Sequence, residues 1–141
     1  MKLIRHLLIA LVAGCMFAAV ASAQDFTGRF TLPFTVQWGT AVLPAGNYNL
    51  EHNSARRSDL MTIRGEKETV MALPVSQSFD ADRSGKSALI LARMKGKAVV
   101  RVLVLTELGM EFTYAWPKGE HVLLAQGPVL IQRIPVTRVG R

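Results

Sequence analysis

Residues 28–39 read GRFTLPFTVQWG. Phe30, Leu32, Phe34, Val36 and Trp38 alternate with Arg29, Thr31, Pro33, Thr35 and Gln37. Successive side chains of a strand point to opposite faces, so this period of two predicts a strand with one buried face. Pro33 has no N–H to give a neighbour, which puts this strand, or that end of it, at a sheet edge. Gly39 breaks the run. Pro44-Ala45-Gly46-Asn47 then makes a turn, with Pro suited to its first half and Gly or Asn able to take positive φ. Tyr48 and Leu50 resume the alternation.

The pattern continues downstream. NSARRSD (53–59) is a polar loop, LMTIRG (60–65) a short strand, EKE (66–68) a turn and TVMALPV (69–75) another strand. SQSFDADRSGKS (76–87) connects to the apolar run ALILARM (88–94), and Lys95-Gly96 predicts a tight hairpin to the next one. In KAVVRVLVLTEL (97–108), Ala98, Val100, Val102 and Val104 alternate with Val99, Leu103 and Leu105, interrupted only by Arg101. An apolar run on both faces predicts a central strand covered on both sides. Leu108-Gly109 turns into MEFTYAW (110–116), where Phe112, Tyr114 and Trp116 share a face. Near the C-terminus, Gly127 and Pro128 suit the start of a short helix with Leu130, Ile131 and Ile134 on one side and Pro135 at its end. A strand over the same residues is the alternative. About seven or eight short strands spaced near 10 residues apart predict a mainly β chain. Its architecture is a small antiparallel sandwich or barrel, with room for one short C-terminal helix.

The N-terminus reads as an export signal. Lys2 and Arg5 precede an uncharged stretch from Leu7 to Val20, and Ala21-Ser22-Ala23 has the small-x-small form of a cleavage site. The apolar run falls short of the roughly 20 residues of a membrane span, so no transmembrane span is expected in the mature chain. Cleavage after Ala23 leaves 118 of the 141 residues, a single β domain over 24–141 in the periplasm or outside the cell. Leu11-Val12-Ala13-Gly14-Cys15 resembles a lipobox, which keeps an alternative open: a lipoprotein anchored through Cys15. Without Cys15 the mature chain has no cysteine, which excludes disulfides, thiolate zinc sites and a Cys nucleophile.

Losing Lys2 and Arg5 takes the formal net charge from +7 to +5. That favours anionic partners, an anionic envelope component among them. The basic residues Arg29, Arg56, Arg57, Arg64, Lys86, Lys95, Arg101 and Arg133 are scattered, and no segment gathers them. They read first as solubility, and no nucleic-acid motif is present.

The nearest approach to a chemical motif is FDADRSGKSALIL (79–91). Asp80, Asp82, Ser84 and Gly85 fit the first half of a calcium loop, but its twelfth position is Leu91, which cannot ligate. SGKS resembles the end of a phosphate loop, but Asp80 stands where the first Gly is required. Asp, Ser, Gly and Lys are also what a solvated turn is made of, and that is the expectation. His52 and His121 each neighbour a glutamate, Glu51 and Glu120, that points to the opposite face of a strand, so both histidines read as surface residues. No G-x-S-x-G elbow supports a nucleophilic serine. Trp38, Tyr48, Tyr114 and Trp116 are the candidate ligand contacts. Trp38 and Trp116, beside Gly39 and Pro117, stand where a ring can be half exposed at a barrel mouth.

FTLPFTVQWGTAVLPAGNY (30–48) is similar to the opening of a group of small secreted, acidobacterial-type proteins, F-x-[LV]-P-F-x-V-x-W-G-x-x-x-L-P-A-G-x-Y. The resemblance is strong over Phe30–Tyr48 and weaker beyond. It implies an exported, mostly β protein and carries no activity and no functional residue. The expectation is a non-enzymatic module acting by binding or within a cell-envelope assembly, with no cofactor. A barrel carrying a small apolar or amphipathic ligand is the alternative, and a metal-dependent hydrolase using Asp80, Asp82 and Ser84 a distant third.

Overall fold

The computed structural model describes residues 25–54, 59–119 and 127–140. Residues 1–24, Cys15 among them, and Arg56, Arg57, Glu120 and His121 lie outside them. The described residues form twelve strands and no helix. They are β1 (Phe26–Leu32), β2 (Val36–Trp38), β3 (Ala41–Leu43), β4 (Gly46–His52), β5 (Met61–Arg64), β6 (Thr69–Ala72), β7 (Ser76–Ser78), β8 (Ala88–Met94), β9 (Lys97–Leu105), β10 (Met110–Thr113), β11 (Leu130–Pro135) and β12 (Thr137–Arg138). One sheet runs β12-β1-β4-β5-β6 and the other β11-β8-β9-β10-β7, with β2 bridging β3 and β9. The chain crosses between the sheets at both edges, through Val136 and through residues 73–75. The result is a half-barrel of two curled sheets around one interior.

The alternating stretch at the start holds its parity but changes sheet. Phe30 and Leu32 on β1 and Val36 and Trp38 on β2 are all buried. The chain leaves the first sheet at Pro33 and joins the second, where Gln37 pairs in parallel with Val99. Both sheets face the same interior, so one unbroken apolar alternation fills it from two sides.

The first sheet is organised by the antiparallel pair β1–β4, in register from Phe26↔His52 to Leu32↔Gly46. Its inner face stacks Phe30 on Tyr48 at 5.6 Å and 16°. Its outer face pairs Thr31 with Asn47 at 2.7 Å and Arg29 with Asn49 at 3.3 Å. The PAGNY turn closes on itself: the Tyr48 hydroxyl donates to the Pro44 carbonyl at 2.7 Å.

In the second sheet, β9 is central, between β8 and β10. Lys95 and Gly96 take φ of 47° and 80°, the double left-handed turn expected of the β8–β9 hairpin. Coverage of both faces of β9, expected from its sequence, needs correction. Val100 pairs with Leu91 and Val102 with Ile90, so Arg101 is the extra residue of a bulge. The bulge flips the parity: Ala98 and Val100 face the core before it, Leu103 and Leu105 after it. On the other face Val99 is buried, but Val102 and Val104 are half-buried.

The C-terminal helix is corrected to a strand. Residues Leu130 to Pro135 pair with Arg93 to Ala88 along β8. Ladder hydrogen bonds and burial of Ile134 outweigh the local preference of Gly127-Pro128 for a helix start. Strands beyond the expected seven or eight are short: β2, β3 and β7 have three residues each and β12 two. Burying a Phe, Leu, Ile or Met contributes about 1.5–3 kcal/mol against the entropy of ordering the chain. Phe26, Leu50, Met61, Ile63, Leu89, Leu91, Leu103 and Phe112 are each 0% exposed and carry most of this.

Candidate functional site

Three of the four candidate aromatic residues lie in the core. Trp38 and Tyr114 are 1% exposed and Tyr48 5%, so the half-exposed ring expected for Trp38 is corrected. Val36 and Trp38 share the inward face of β2, and Gly39 turns the backbone without opening the ring to water. A chain of ring contacts crosses the interior: Tyr48 on Phe30, Phe30 to Trp38 at 6.0 Å, and Trp38 edge-on to Tyr114 at 5.3 Å and 86°. Such pairs add about 0.5–1.5 kcal/mol beyond area burial and lock the two sheets in register. Burial pushes the Tyr114 phenol far up, with the Trp38 side chain pulling weakly the other way. Trp38 Nε1 and Tyr114 Oη have no hydrogen bond of normal geometry.

Trp116 stands apart. It is half-buried, and the Arg101 guanidinium lies 4.2 Å over its ring. The same guanidinium donates to the Tyr114 carbonyl, while Tyr114 N donates to Arg101 O at 2.9 Å. Burial alone lowers the Arg101 pKa. The β9 bulge places Arg101 against Trp116 and the Tyr114 backbone, which sequence spacing could not show.

The carboxylates of the 79–87 loop do not converge on a point. Asp82 Oδ1 accepts from Ser84 Oγ at 2.7 Å and from Ser84 N at 2.9 Å, and Gly85 N reaches Asp82 O at 3.3 Å. The Ser84 side chain and backbone together hold the Asp82 carboxyl below its ordinary range. Asp80 is tied to Ser78 two residues back. Among the described residues no three His, Cys, Asp or Glu side chains gather as a metal site would require. Replacing Asp80 and Asp82 together by Asn should move the melting temperature by no more than about 2–3 °C, since exposed loops contribute little. Calcium should leave both proteins unchanged. A rise of several degrees in the wild type alone would identify a real ion site by mass action.

His52 corrects the surface reading. It is 3% exposed, with its ring 5.4 Å from Phe112. Glu51 points outward to Arg64 at 3.4 Å, as the strand geometry requires, an exposed pair worth little. Tyr48, Leu50 and His52 share one face of β4, so the alternation itself places His52 inside. Its Nδ1 has no partner. Burial lowers its pKa from 6.5, opposed by Asp59 and then Asp25. A folded value below the unfolded one means that the unfolded chain takes the proton first. Stability from neutral His52 is therefore complete above the ordinary histidine range and is lost as pH falls below about 6.5 toward the folded value. Melting curves from pH 8 to 5 should fall more steeply for the wild type than for His52→Leu; parallel curves would remove His52 as the cause.

Sequence reading missed one buried polar cluster. Ser87 and Thr106 are 3% and 5% exposed. Ser87 Oγ accepts from Thr106 N at 2.9 Å, donates to Glu107 Oε2, and lies 3.2 Å from Thr106 Oγ1. This cluster ties the end of the loop before β8 to the β9–β10 turn.

Large apolar side chains also reach solvent. Met71, Leu73, Val75 and Phe79 are 63–74% exposed along the β6–β7 crossing, and Leu130 and Ile131 are 65% and 66% exposed at the start of β11. One surface cleft, about 450 Å³, is lined by Arg93, Met94, Lys95, Pro128 and Leu130. A second, about 310 Å³, lies between the PAGNY turn and Gly65–Glu68, with Tyr48 at its floor. No family model, curated protein or solved structure matches the chain.

Proposed function

We propose that this chain is an exported, non-enzymatic β module that works by surface binding within the cell envelope. The observation that carries this reading is the interior. Aromatic and aliphatic side chains of both sheets fill the space that a carrier would keep for its ligand. The described clefts lie on the surface, between turns and at strand ends. The resemblance of Phe30–Tyr48 to small secreted proteins supports export.

Native mass spectrometry of protein purified from its own host separates this reading from the carrier. The expected result is the bare polypeptide mass, without uptake of fatty acids or fluorescent lipophiles, together with retention of the protein by envelope fractions. A stoichiometric small ligand would establish the carrier. Turnover of a hydrolase substrate, abolished by changing one polar residue, would establish an enzyme.

A further inference from the structure

We propose that the β8–β9 turn and the adjoining start of β11 form a surface that docks on the anionic lipid headgroups of a bilayer. The inference rests on the binding-module reading and gives that module a partner.

Charge is segregated by the fold. β8, β9 and β11 carry Arg93, Lys97, Arg101 and Arg133 and no acidic residue. Lys95 stands exposed in the turn between the first two. Every described Asp and Glu lies on other strands or in other loops, such as Glu51 on β4, Glu66 and Glu68 before β6, and Asp80 and Asp82 before β8. The β8–β11 register sets Leu130 opposite Arg93, Ile131 opposite Ala92 and Arg133 opposite Ile90. Ile131 and Arg133, two apart on β11, project from one face, while Leu130, one position away, projects from the other beside Arg93; β11 is the edge strand of its sheet, so both pairs lie along that edge. Arg93 is steadied 4.4 Å over the Phe34 ring. Arg101 is already engaged by Trp116 and Tyr114 and is left out of the argument. The cleft of about 450 Å³ opens between Arg93, Lys95 and Leu130, wide enough for a phosphate headgroup.

A polyanion would need only the cations. Leu130 and Ile131, about two-thirds exposed beside those cations, add what a lipid surface uses and a soluble polymer does not. Apolar side chains enter the boundary between headgroups and acyl chains while Lys and Arg meet phosphate. Each such charge near an anionic leaflet strengthens binding about fivefold, so a few of them with two apolar anchors give measurable, salt-sensitive attachment.

The test uses exported protein whose mass shows that no acyl group is attached. It is floated with vesicles of phosphatidylcholine alone or enriched in phosphatidylglycerol. The expected result is flotation with the anionic vesicles only. Lys95→Asn with Arg133→Glu should weaken it about 25-fold or more. Lys67→Asn with Lys86→Glu, an equal change of net charge elsewhere, should leave it within about twofold. Leu130→Ser with Ile131→Ser should also weaken flotation while leaving any attraction to a soluble polyanion unchanged. All these positions are exposed, and melting curves establish that each variant folds. Equal loss in the two charge variants would overturn the proposal in favour of net charge. Binding to a polyanion without binding to vesicles would overturn it in favour of a polymer site. Retention by envelope fractions without flotation would overturn the lipid face and leave the binding-module reading standing. Absence of both would remove the two together.

Discussion

Replacing Trp38 by alanine should lower the unfolding free energy by about 3–5 kcal/mol. For a domain of this size that is a fall of roughly 10–20 °C in melting temperature. Trp38 is 1% exposed and touches Phe30 of the first sheet and Tyr114 of the second. Its removal leaves a cavity at the centre of the core. One effect works in the opposite direction: the unpartnered indole N–H is lost with the ring. A buried donor without a partner costs about 1–3 kcal/mol, which trims the loss without reversing it. Trp116→Ala is the contrast. That ring is half-buried and stacks on Arg101, a contact worth about 0.5–1 kcal/mol at an exposed site, so the shift should be a few degrees. Emission separates the two further. With Trp38 gone the remaining fluorescence comes from Trp116 and should move to longer wavelength. Equal melting shifts in the two variants would contradict the central place given to Trp38.

The class of fold was legible because alternation survives tertiary folding. Phe30, Leu32, Val36 and Trp38 keep the burial that their spacing predicts, and Lys95-Gly96 makes the expected tight turn, with Gly96 suited to its positive φ. What was not legible depends on partners far along the chain. Nothing local says that residues 29–38 divide between two sheets, since both faces of that division look inward. The bulge at Arg101 lets Val100 and Leu103, of opposite parity, enter the same core. In sequence that is indistinguishable from a strand covered on both faces. Ser76–Ser78 is polar and short, and only its edge pairing with β10 makes it a strand. His52 is different: its parity with Tyr48 and Leu50 marks it as inward-facing in the sequence itself, against the usual exposure of histidine.

The candidate site was less legible still. Trp38, Tyr48 and Tyr114 are aromatic residues at strand spacing, a pattern that a packed core and a ligand mouth share. The basic residues were read as scattered because Arg93, Lys95 and Arg133 are up to forty positions apart in the chain. Register alone brings Arg133 to the strand beside Arg93. Acid-free strands on one side and carboxylates on the others are a property of the topology.

Gly28→Val should open the corner where the two sheets join, with a loss of about 1–3 kcal/mol or somewhat more. Gly28 sits on the inward face of β1 between Phe26 and Phe30. A Cβ added there would come within 2.7 Å of the Phe26 ring and 2.7 Å of Val136 Cγ1. Neither neighbour can yield. Phe26 is 0% exposed and packed into the core. Val136 is held where the chain passes between sheets, its N–H donating to Ser87 O at 2.9 Å, and β12 beyond it pairs back on Gly28 through Arg138. Even Gly28→Ala meets both atoms. Ala would restrict the unfolded chain and so favour folding by about 0.4–1 kcal/mol, but overpacking costs more, and the net sign is destabilising. Removing the Val136 methyls tests the cause. Val136→Ala alone should destabilise by deleting buried surface, while Gly28→Ala in the Val136→Ala background should cost much less than in the wild type. A coupling energy of about 0.5–3 kcal/mol between the two positions is the expected outcome of that double-mutant cycle. Strict additivity would mean that the corner is loosely packed and that β12 is not fixed by this contact.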